Sequence, residues 1–180
     1  MKAIIFDYGG VIALHKEPYV PIYPDTEAWH QAEKGEIPEE EFWKRLEEYY
    51  HKTTAELLQM LFDERELNKP LIEYLRENKG KYKLATINNG LAKILGKMIA
   101  EWNLNEVFDV IICSATERLV KPDPKIFLLA CERLGLKPED CLFVSKKESY
   151  VEVVQSLGMK GLVYKGLEEF KKHLSDEYKY

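Results

Sequence analysis

Five short apolar runs, each followed by polar residues or glycine, constrain the fold of this chain more than any other feature. The first run ends at Asp7 and is followed by Gly9 and Gly10, which is typical of a buried strand that ends in a tight loop. The runs span residues 3–6, 82–87, 110–113, 142–145 and 161–164, and segments with helical apolar spacing lie between them. Strands that alternate with helices build a parallel sheet covered on both faces. We therefore predict an α/β fold with a parallel sheet of about five strands.

Residues 13–80 interrupt this alternation. Prolines 18, 21 and 24 exclude regular helix in the stretch 18–24, because proline lacks an N–H donor and restricts the residue before it. Three amphipathic helices are predicted after it, and we expect their aromatic residues to pack within this lobe. Their apolar faces contain Phe42, Trp43, Leu46 and Tyr50, then Leu57, Leu58, Leu61 and Phe62, then Leu71, Ile72 and Leu75. We predict a core domain of residues 1–12 and 81–180 and a small inserted helical lobe of residues 13–80.

Composition limits the classes of function. The net charge of −5 argues against a nucleic-acid partner, because phosphate contacts need clustered Lys and Arg. No apolar run approaches the roughly 18 residues that a membrane span needs, and the run after Lys2 is too short for a secretory signal. We therefore expect a cytoplasmic protein without a membrane partner. Cys113, Cys131 and Cys141 are odd in number and widely spaced, which favours reduced core thiols.

Polar residues follow four of the predicted strands, at positions 7–11, 88–90, 121–124 and 145–148. In an open parallel sheet, ligands bind beyond the carboxyl ends of the strands, so these segments are expected to form one pocket. A carboxylate such as Asp7, followed by glycines whose amides can approach an anion, suits nucleophilic attack on phosphorus or carbon. The same pattern also fits a turn or capping aspartate.

Lys121 lies directly before Pro-Asp-Pro, on a rigid, non-helical approach to a helix. Its ammonium could therefore be aimed at a carboxylate or a phosphate. A lone loop lysine is more often simply solvated.

Taken in order, these segments resemble the haloacid dehalogenase-like superfamily over nearly the whole chain. Residues 4–11, IIFDYGGV, are similar to its first motif, whose leading aspartate is the nucleophile and usually a Mg²⁺ ligand. Residues 119–127, LVKPDPKIF, are similar to its third motif, whose lysine holds nucleophile and phosphate together. Residues 35–42 resemble the helical cap of the family's small sugar-phosphate phosphatases, and residues 157–159 resemble the end of the fourth motif.

The resemblance implies a Rossmann-like hydrolase core with a small helical cap, and a small phosphorylated metabolite as substrate. It assigns the catalytic roles to Asp7 and Lys121. It also implies a phosphate-binding set, which in this chain consists of Gly9, Gly10, Asn88, Asn89 and Lys146.

Two of these positions depart from the family pattern. Gly9 stands where many family phosphatases carry an aspartate that serves as general acid and base, a role typically worth about 10²–10⁴-fold in rate. Turnover is therefore expected to be slower but not excluded. Asn88 replaces the serine or threonine that donates to the phosphate, and an amide can still donate.

The fourth motif departs further, because Ser145 and Lys146 replace the usual acidic pair that holds Mg²⁺. A protonated lysine cannot ligate a metal. Asp7 and the backbone carbonyl of Gly9 would then supply only two protein ligands, so the sequence disfavours Mg²⁺. The ammonium of Lys146 could instead balance the charges of Asp7 and a bound phosphate.

The family's dehalogenases work without metal. Their fourth motif also has a serine at the position that corresponds to Ser145. They differ at Val11, Lys147 and Tyr150, which disfavours dehalogenase activity. Two hypotheses remain: a phosphomonoester phosphatase that acts through an aspartyl-phosphate at Asp7, and an inactive binding or regulatory protein that keeps the anion pocket. We favour the hydrolase. By position, His15, Lys16 and the tyrosines of 18–24 are expected nearest to a substrate.

Overall fold

The computed structural model describes residues 1–16 and 26–177, so the predicted proline-rich loop and its tyrosines lie outside the described residues. The strands are β1 (Ala3–Asp7), β2 (Ala13–His15), β3 (Arg65–Leu67), β4 (Lys83–Asn88), β5 (Val110–Cys113), β6 (Cys141–Ser145) and β7 (Lys160–Val163). Five of them form one sheet in the order β5-β4-β1-β6-β7, with every pairing parallel. The predicted α/β fold is confirmed, and Asp7 ends the central strand.

The helices of the described residues are α1 (Thr26–Glu33), α2 (Glu39–Tyr50), α3 (Thr54–Asp63), α4 (Lys69–Glu77), α5 (Ala92–Trp102), α6 (Ser114–Glu117), α7 (Pro124–Leu134), α8 (Glu148–Ser156) and α9 (Leu167–Glu177). Local sequence explains the limits of α7. The Asp123 side chain accepts from the backbone N–H of Lys125, Pro124 opens the first turn, and Gly135 ends the helix at a φ of 67°. Among the described helices, none is long and apolar enough to cross a membrane.

Both faces of the sheet are buried. Alternate residues of β1 point to opposite faces, and all five of them are buried. Ile4 and Phe6 belong to one apolar cluster and Ala3 and Ile5 to the other. All three cysteines are buried and free, as predicted. The carboxyl edge of this buried sheet positions the polar residues.

The inserted segment leaves β1 and returns through a short antiparallel ribbon in which β2 pairs with β3. The three predicted helices correspond to α2, α3 and α4, and the structure adds α1, which buries only Ala28 and Ala32. Trp43 is buried, as expected, whereas the expectation is wrong for Tyr49, which is 62% exposed. Helix α4 follows the ribbon, and its Tyr74 ring lies 6.1 Å from that of Phe170 on α9. The division into residues 1–12 with 81–180 and residues 13–80 stays a prediction.

A carboxylate of the inserted segment holds a helix of the sheet region. Glu39, in the first turn of α2, accepts hydrogen bonds from the backbone N–H groups of Ala92 (2.8 Å) and Lys93 (2.9 Å). It also accepts one from the indole of Trp43. The first N–H groups of a helix have no partner within the helix, so Glu39 satisfies donors of α5 that its own sequence leaves open. This contact joins the insertion to the segment that follows Asn88.

Candidate functional site

Asp7 is the centre of the polar cluster at the carboxyl edge of the sheet. It is 4% exposed. The ammonium of Lys121 lies 2.6 Å from its Oδ1 atom, and the hydroxyl of Ser145 donates a 2.6 Å hydrogen bond to Oδ2. Each carboxylate oxygen therefore receives one donor, from residues 114 and 138 positions away in the chain. Such charge-assisted bonds fix the orientation of the carboxylate.

Lys121 is as buried as Asp7, and its backbone is held as firmly as its side chain. Its ammonium also donates to the carbonyl of Ile87 at 2.5 Å. The side-chain amide of Asn89 accepts from the Lys121 N–H and donates to its carbonyl, both at 2.9 Å. Burial lowers the pKa of the Lys121 ammonium, and the carboxylate of Asp7 opposes that shift. The Lys121 ammonium has three N–H donors, and two of them are engaged, by Asp7 and by the carbonyl of Ile87. The third can therefore contact a ligand.

Ser145 is fixed on both sides. Its hydroxyl accepts from the backbone N–H of Lys147 at 3.1 Å while it donates to Asp7. The ring of Tyr150 lies close to two lysines. Its centroid is 5.6 Å from the Lys121 ammonium and 4.9 Å from the Lys147 ammonium. Sequence reasoning did not assign Tyr150 to the site. The signal was its place in the first turn of the helix after β6, which reaches back over the strand end.

The loop after β1 is tight and glycine-dependent at one position. Gly10 has a φ of 79°, and its N–H donates to the carbonyl of Ala13 at 2.8 Å. A Cβ at Gly10 would lie 3.6 Å from Cδ of Lys146, so the Lys146 side chain runs alongside this loop. The Lys146 ammonium has no ion pair within residues 1–16 and 26–177. A Cβ at Gly9 would meet nothing within 4 Å.

Asn88 ends β4 with a side chain that is 7% exposed. Within the described part of the chain, its amide has no hydrogen-bond partner. A Cβ at Gly90 would lie 2.8 Å from Nδ2 of Asn88, so glycine at position 90 leaves space for that amide. The N–H of Gly90 donates to Ser114 at 3.0 Å, which fixes the turn. Asn88 is thus a positioned, unengaged donor.

A cleft of about 200 Å³ opens beside this cluster. Gly9, Asn88, Asn89 and Gly90 line it on the sheet side, and His15 and Arg65 line it on the ribbon side. Asp7 and Lys121 do not line it. Lys16 does not line the cleft, and its ammonium donates a 2.6 Å hydrogen bond to the backbone carbonyl of Asp63. The structure therefore brings His15, but not Lys16, to the cleft.

The residues around Asp7 do not fit Mg²⁺. This ion requires near-octahedral oxygen coordination, whereas one Asp7 oxygen already faces the ammonium of Lys121 at 2.6 Å. The neighbouring positions hold the hydroxyl of Ser145 and the cation of Lys146 instead of carboxylates. Among the residues that the structure describes, no group of three or more His, Cys, Asp or Glu is placed to hold a metal ion.

Comparisons with known proteins agree with this fold. The family model of haloacid dehalogenase-like hydrolases matches residues 1–145. The chain is 28% identical over 185 aligned residues to a phosphorylated carbohydrates phosphatase of Thermotoga maritima, covering 88% of this chain and 82% of that one.

Two solved structures share the architecture. One is a haloacid dehalogenase family enzyme of Bacteroides thetaiotaomicron in complex with magnesium and inorganic phosphate, with a TM-score of 0.76, 20% identity and coverage of 92% and 94%. The other is a predicted hydrolase of the same family from Porphyromonas gingivalis, with a TM-score of 0.78, 22% identity and coverage of 100% and 98%.

Proposed function

The chain belongs to the haloacid dehalogenase-like hydrolases, and from this premise we propose that it is a phosphomonoester phosphatase that acts through an aspartyl-phosphate at Asp7. One observation carries the proposal: the buried pair of Asp7 and Lys121, 2.6 Å apart at the end of the central strand. A carboxylate nucleophile beside a fixed cation suits attack on an anionic centre. The phosphatase of Thermotoga maritima supports phosphate esters as the substrate class.

The reaction follows from the roles of these two groups. A carboxylate oxygen of Asp7 attacks phosphorus, a new O–P bond forms, and the bond from phosphorus to the alcohol oxygen breaks. The free donor of the Lys121 ammonium stabilises the negative charge on the phosphoryl oxygens. The leaving alkoxide takes its proton from water, because the described site offers no acid at position 9. A second water then attacks phosphorus, which releases inorganic phosphate and restores the Asp7 carboxylate.

We assign phosphate contacts to the unengaged amide of Asn88, to the backbone of Gly9 and Gly10, and to the ammonium of Lys146. The side chain of Lys146 runs along the Gly10 loop, which supports this assignment. Asn89 acts in this scheme by holding the backbone of Lys121. Its direct contact with phosphate stays a prediction.

In this proposal, turnover does not depend on Mg²⁺. Ser145 and Lys121 orient the nucleophile, and Lys146 supplies positive charge near the phosphate. These are roles that hydrogen bonds and an ammonium can fill without metal coordination.

A second candidate is a binding or regulatory protein that retains an anion pocket but does not turn over. The observation that favours it is the combination of Gly9, without an acid side chain, and a site that does not fit Mg²⁺. It predicts binding of inorganic phosphate without hydrolysis of any ester.

Phosphatase activity against a panel of small phosphate esters distinguishes the phosphatase from the binding protein. The natural protein, Asp7→Asn and Asp140→Asn are compared with Mg²⁺ and with chelator. Asp140 is a matched control, because it pairs with exposed Lys2 away from the Asp7 cluster. Turnover that persists in Asp140→Asn and vanishes in Asp7→Asn supports the phosphatase. Phosphate binding by calorimetry without turnover in any sample supports the binding protein.

A further inference from the structure

Tyr150 places one aromatic ring beside two lysine ammonium groups at the carboxyl edge of the sheet. The distances of 5.6 Å to Lys121 and 4.9 Å to Lys147 are measured from the ring centroid. A cation within about 6 Å of the centre of an aromatic face is attracted by the partial negative charge of that face. The Tyr150 hydroxyl also accepts a hydrogen bond from the Lys147 ammonium at 3.3 Å. Tyr150 therefore attracts Lys121 through its ring, and Lys147 through its ring and its hydroxyl.

The fold holds this ring in place. Tyr150 lies in the first turn of α8, where its backbone N–H donates to the carbonyl of Lys147 at 3.1 Å. Its half-buried side chain packs against the apolar cluster on one side of the sheet, to which Ile5 and Phe143 belong. The ring is therefore a fixed surface beside the strand end that carries Asp7.

The Lys121 ammonium lies where a positive charge needs stabilisation. Burial lowers the pKa of this ammonium, the carboxylate of Asp7 opposes that shift, and the charge of Lys147 adds to it. Asp7 and the carbonyl of Ile87 engage two of the three N–H donors. An aromatic face stabilises a buried cation by electrostatic attraction, which leaves the third donor available.

Resting on the proposed phosphatase activity, we propose that Tyr150 is a positioning residue that acts through Lys121. The face of its ring stabilises the charged ammonium where two donors are already engaged, so the third donor is presented to a phosphoryl oxygen. The four-carbon stem of lysine is flexible, and attraction on a further side of the ammonium restricts it. The Tyr150 hydroxyl serves Lys147 and is not needed for this role.

The first test separates the ring from the hydroxyl. Tyr150→Phe keeps the aromatic face, so kcat/KM for para-nitrophenyl phosphate should stay within about twofold of the natural value. Tyr150→Leu removes the face, so kcat/KM should fall by about tenfold, as for the loss of a buried cation–π contact. Tyr49→Leu is the matched control, because Tyr49 is an exposed tyrosine of the insertion, and it should leave kcat/KM unchanged. Equal losses in Tyr150→Phe and Tyr150→Leu would overturn the inference.

The second test shows whether Tyr150 acts through Lys121. Calorimetry measures the binding of inorganic phosphate at a temperature where thermal unfolding shows every variant to be folded. Tyr150→Leu should weaken phosphate binding by about tenfold when Lys121 is present. In Lys121→Met the same change should have no further effect, because no ammonium remains to be positioned. A tenfold loss that persists in Lys121→Met would mean that Tyr150 acts independently of Lys121, contrary to the inference.

Failure of this inference and failure of the proposed function give different results. If the natural protein and Tyr150→Leu hydrolyse the ester equally well, the role of Tyr150 is wrong and the phosphatase stands. If the natural protein hydrolyses no phosphate ester, the phosphatase is wrong, and phosphate binding alone decides the inference. A loss of binding in Tyr150→Leu that depends on Lys121 then supports it. Equal binding by Tyr150→Leu and the natural protein overturns it.

Discussion

The hydroxyl of Ser145 donates a 2.6 Å hydrogen bond to Oδ2 of Asp7, and this bond joins the ends of two neighbouring parallel strands. Ser145 is fully buried and Asp7 nearly so. Lys121 engages the other oxygen, so a neutral donor and a cation together orient the carboxylate. The Asp7 carboxylate is therefore held in one geometry by side chains alone.

Removing the hydroxyl tests this orientation. Ser145→Ala leaves Oδ2 of Asp7 and the N–H of Lys147 without their partner, so turnover should fall by about tenfold and stability by about 1–3 kcal/mol. Steady-state kinetics and thermal unfolding measure the two effects. Ser156→Ala, which removes an exposed hydroxyl on α8, should change neither. Unaltered turnover in Ser145→Ala would mean that Lys121 alone orients Asp7.

A carboxylate at position 146 should create a metal requirement. Lys146→Asp places an oxygen ligand near Asp7 where the natural chain has a cation, so Mg²⁺ should stimulate this variant by about tenfold or more. The natural protein should show equal turnover with Mg²⁺ and with chelator. Lys165→Asp, an exposed change elsewhere, should behave like the natural protein. Loss of natural activity in chelator would refute the metal-free site.

Adding a general acid should accelerate the reaction. Position 9 has no positive φ and no atom within 4 Å of a new Cβ, so Gly9→Asp fits without strain. A carboxylic acid there can protonate the leaving alkoxide, and kcat is expected to rise by about 10²-fold, the lower end for this kind of catalysis. Gly9→Asn has the same shape without the proton and should give no gain. Equal rates for the two variants would show that proton transfer does not limit turnover.

In the proposed phosphatase, the lowered pKa of Lys121 should set the alkaline limit of activity. The site needs the protonated ammonium, so activity is present below this pKa and is lost as the pH rises through it. Because burial lowers that pKa, the loss should occur below the ordinary value of about 10.4. In Lys121→Arg the guanidinium stays charged, and the alkaline limb of kcat/KM should move to higher pH. If the alkaline limb of kcat/KM lies at the same pH in the natural protein and in Lys121→Arg, another group is responsible for it.

The contact of Glu39 with α5 should contribute measurably to stability. Glu39→Ala removes the acceptor of two helix N–H groups and of the Trp43 indole, which should cost about 1–2 kcal/mol. For a chain of this size, that corresponds to a fall in Tm of roughly 2–8 °C by calorimetry. Glu40→Ala is the matched control. Glu40 is exposed, and its surface pair with Lys93 is long, at 3.9 Å, so it should contribute little to stability. Equal Tm values for the two variants would contradict the capping role.

The apolar runs predicted the sheet well because burial on both faces leaves a continuous signal in the sequence. Strand β4 (Lys83–Asn88) differs from its predicted run by one residue at each end. The meeting of Asp7, Asn88, Lys121 and Ser145 was also predictable, since the carboxyl ends of parallel strands share one edge. Their chemical roles stay predictions.

Features that depend on distant pairing left no local signal. Helix α1 buries two alanines, too small an apolar stripe to detect. The ribbon pairs three residues with three others about 50 positions away, and the tertiary fold sets its register. Glu39 looks like an ordinary exposed residue at the start of a helix, and only the fold brings it to Ala92.

The ribbon of β2 and β3 brings the two ends of the insertion together. Antiparallel pairing holds the two crossing points one strand spacing apart, about 4.8 Å. A segment that replaces residues 16–64 must match that spacing, and it must also keep an acceptor for the N–H groups of α5, as Glu39 does. The insertion supplies Trp29 and Leu61 to the cleft, and α5 supplies Ile94 and Met98, so exchange of the insertion changes only part of the cleft walls. A graft between relatives at positions 15 and 65 is the natural unit for altering selectivity.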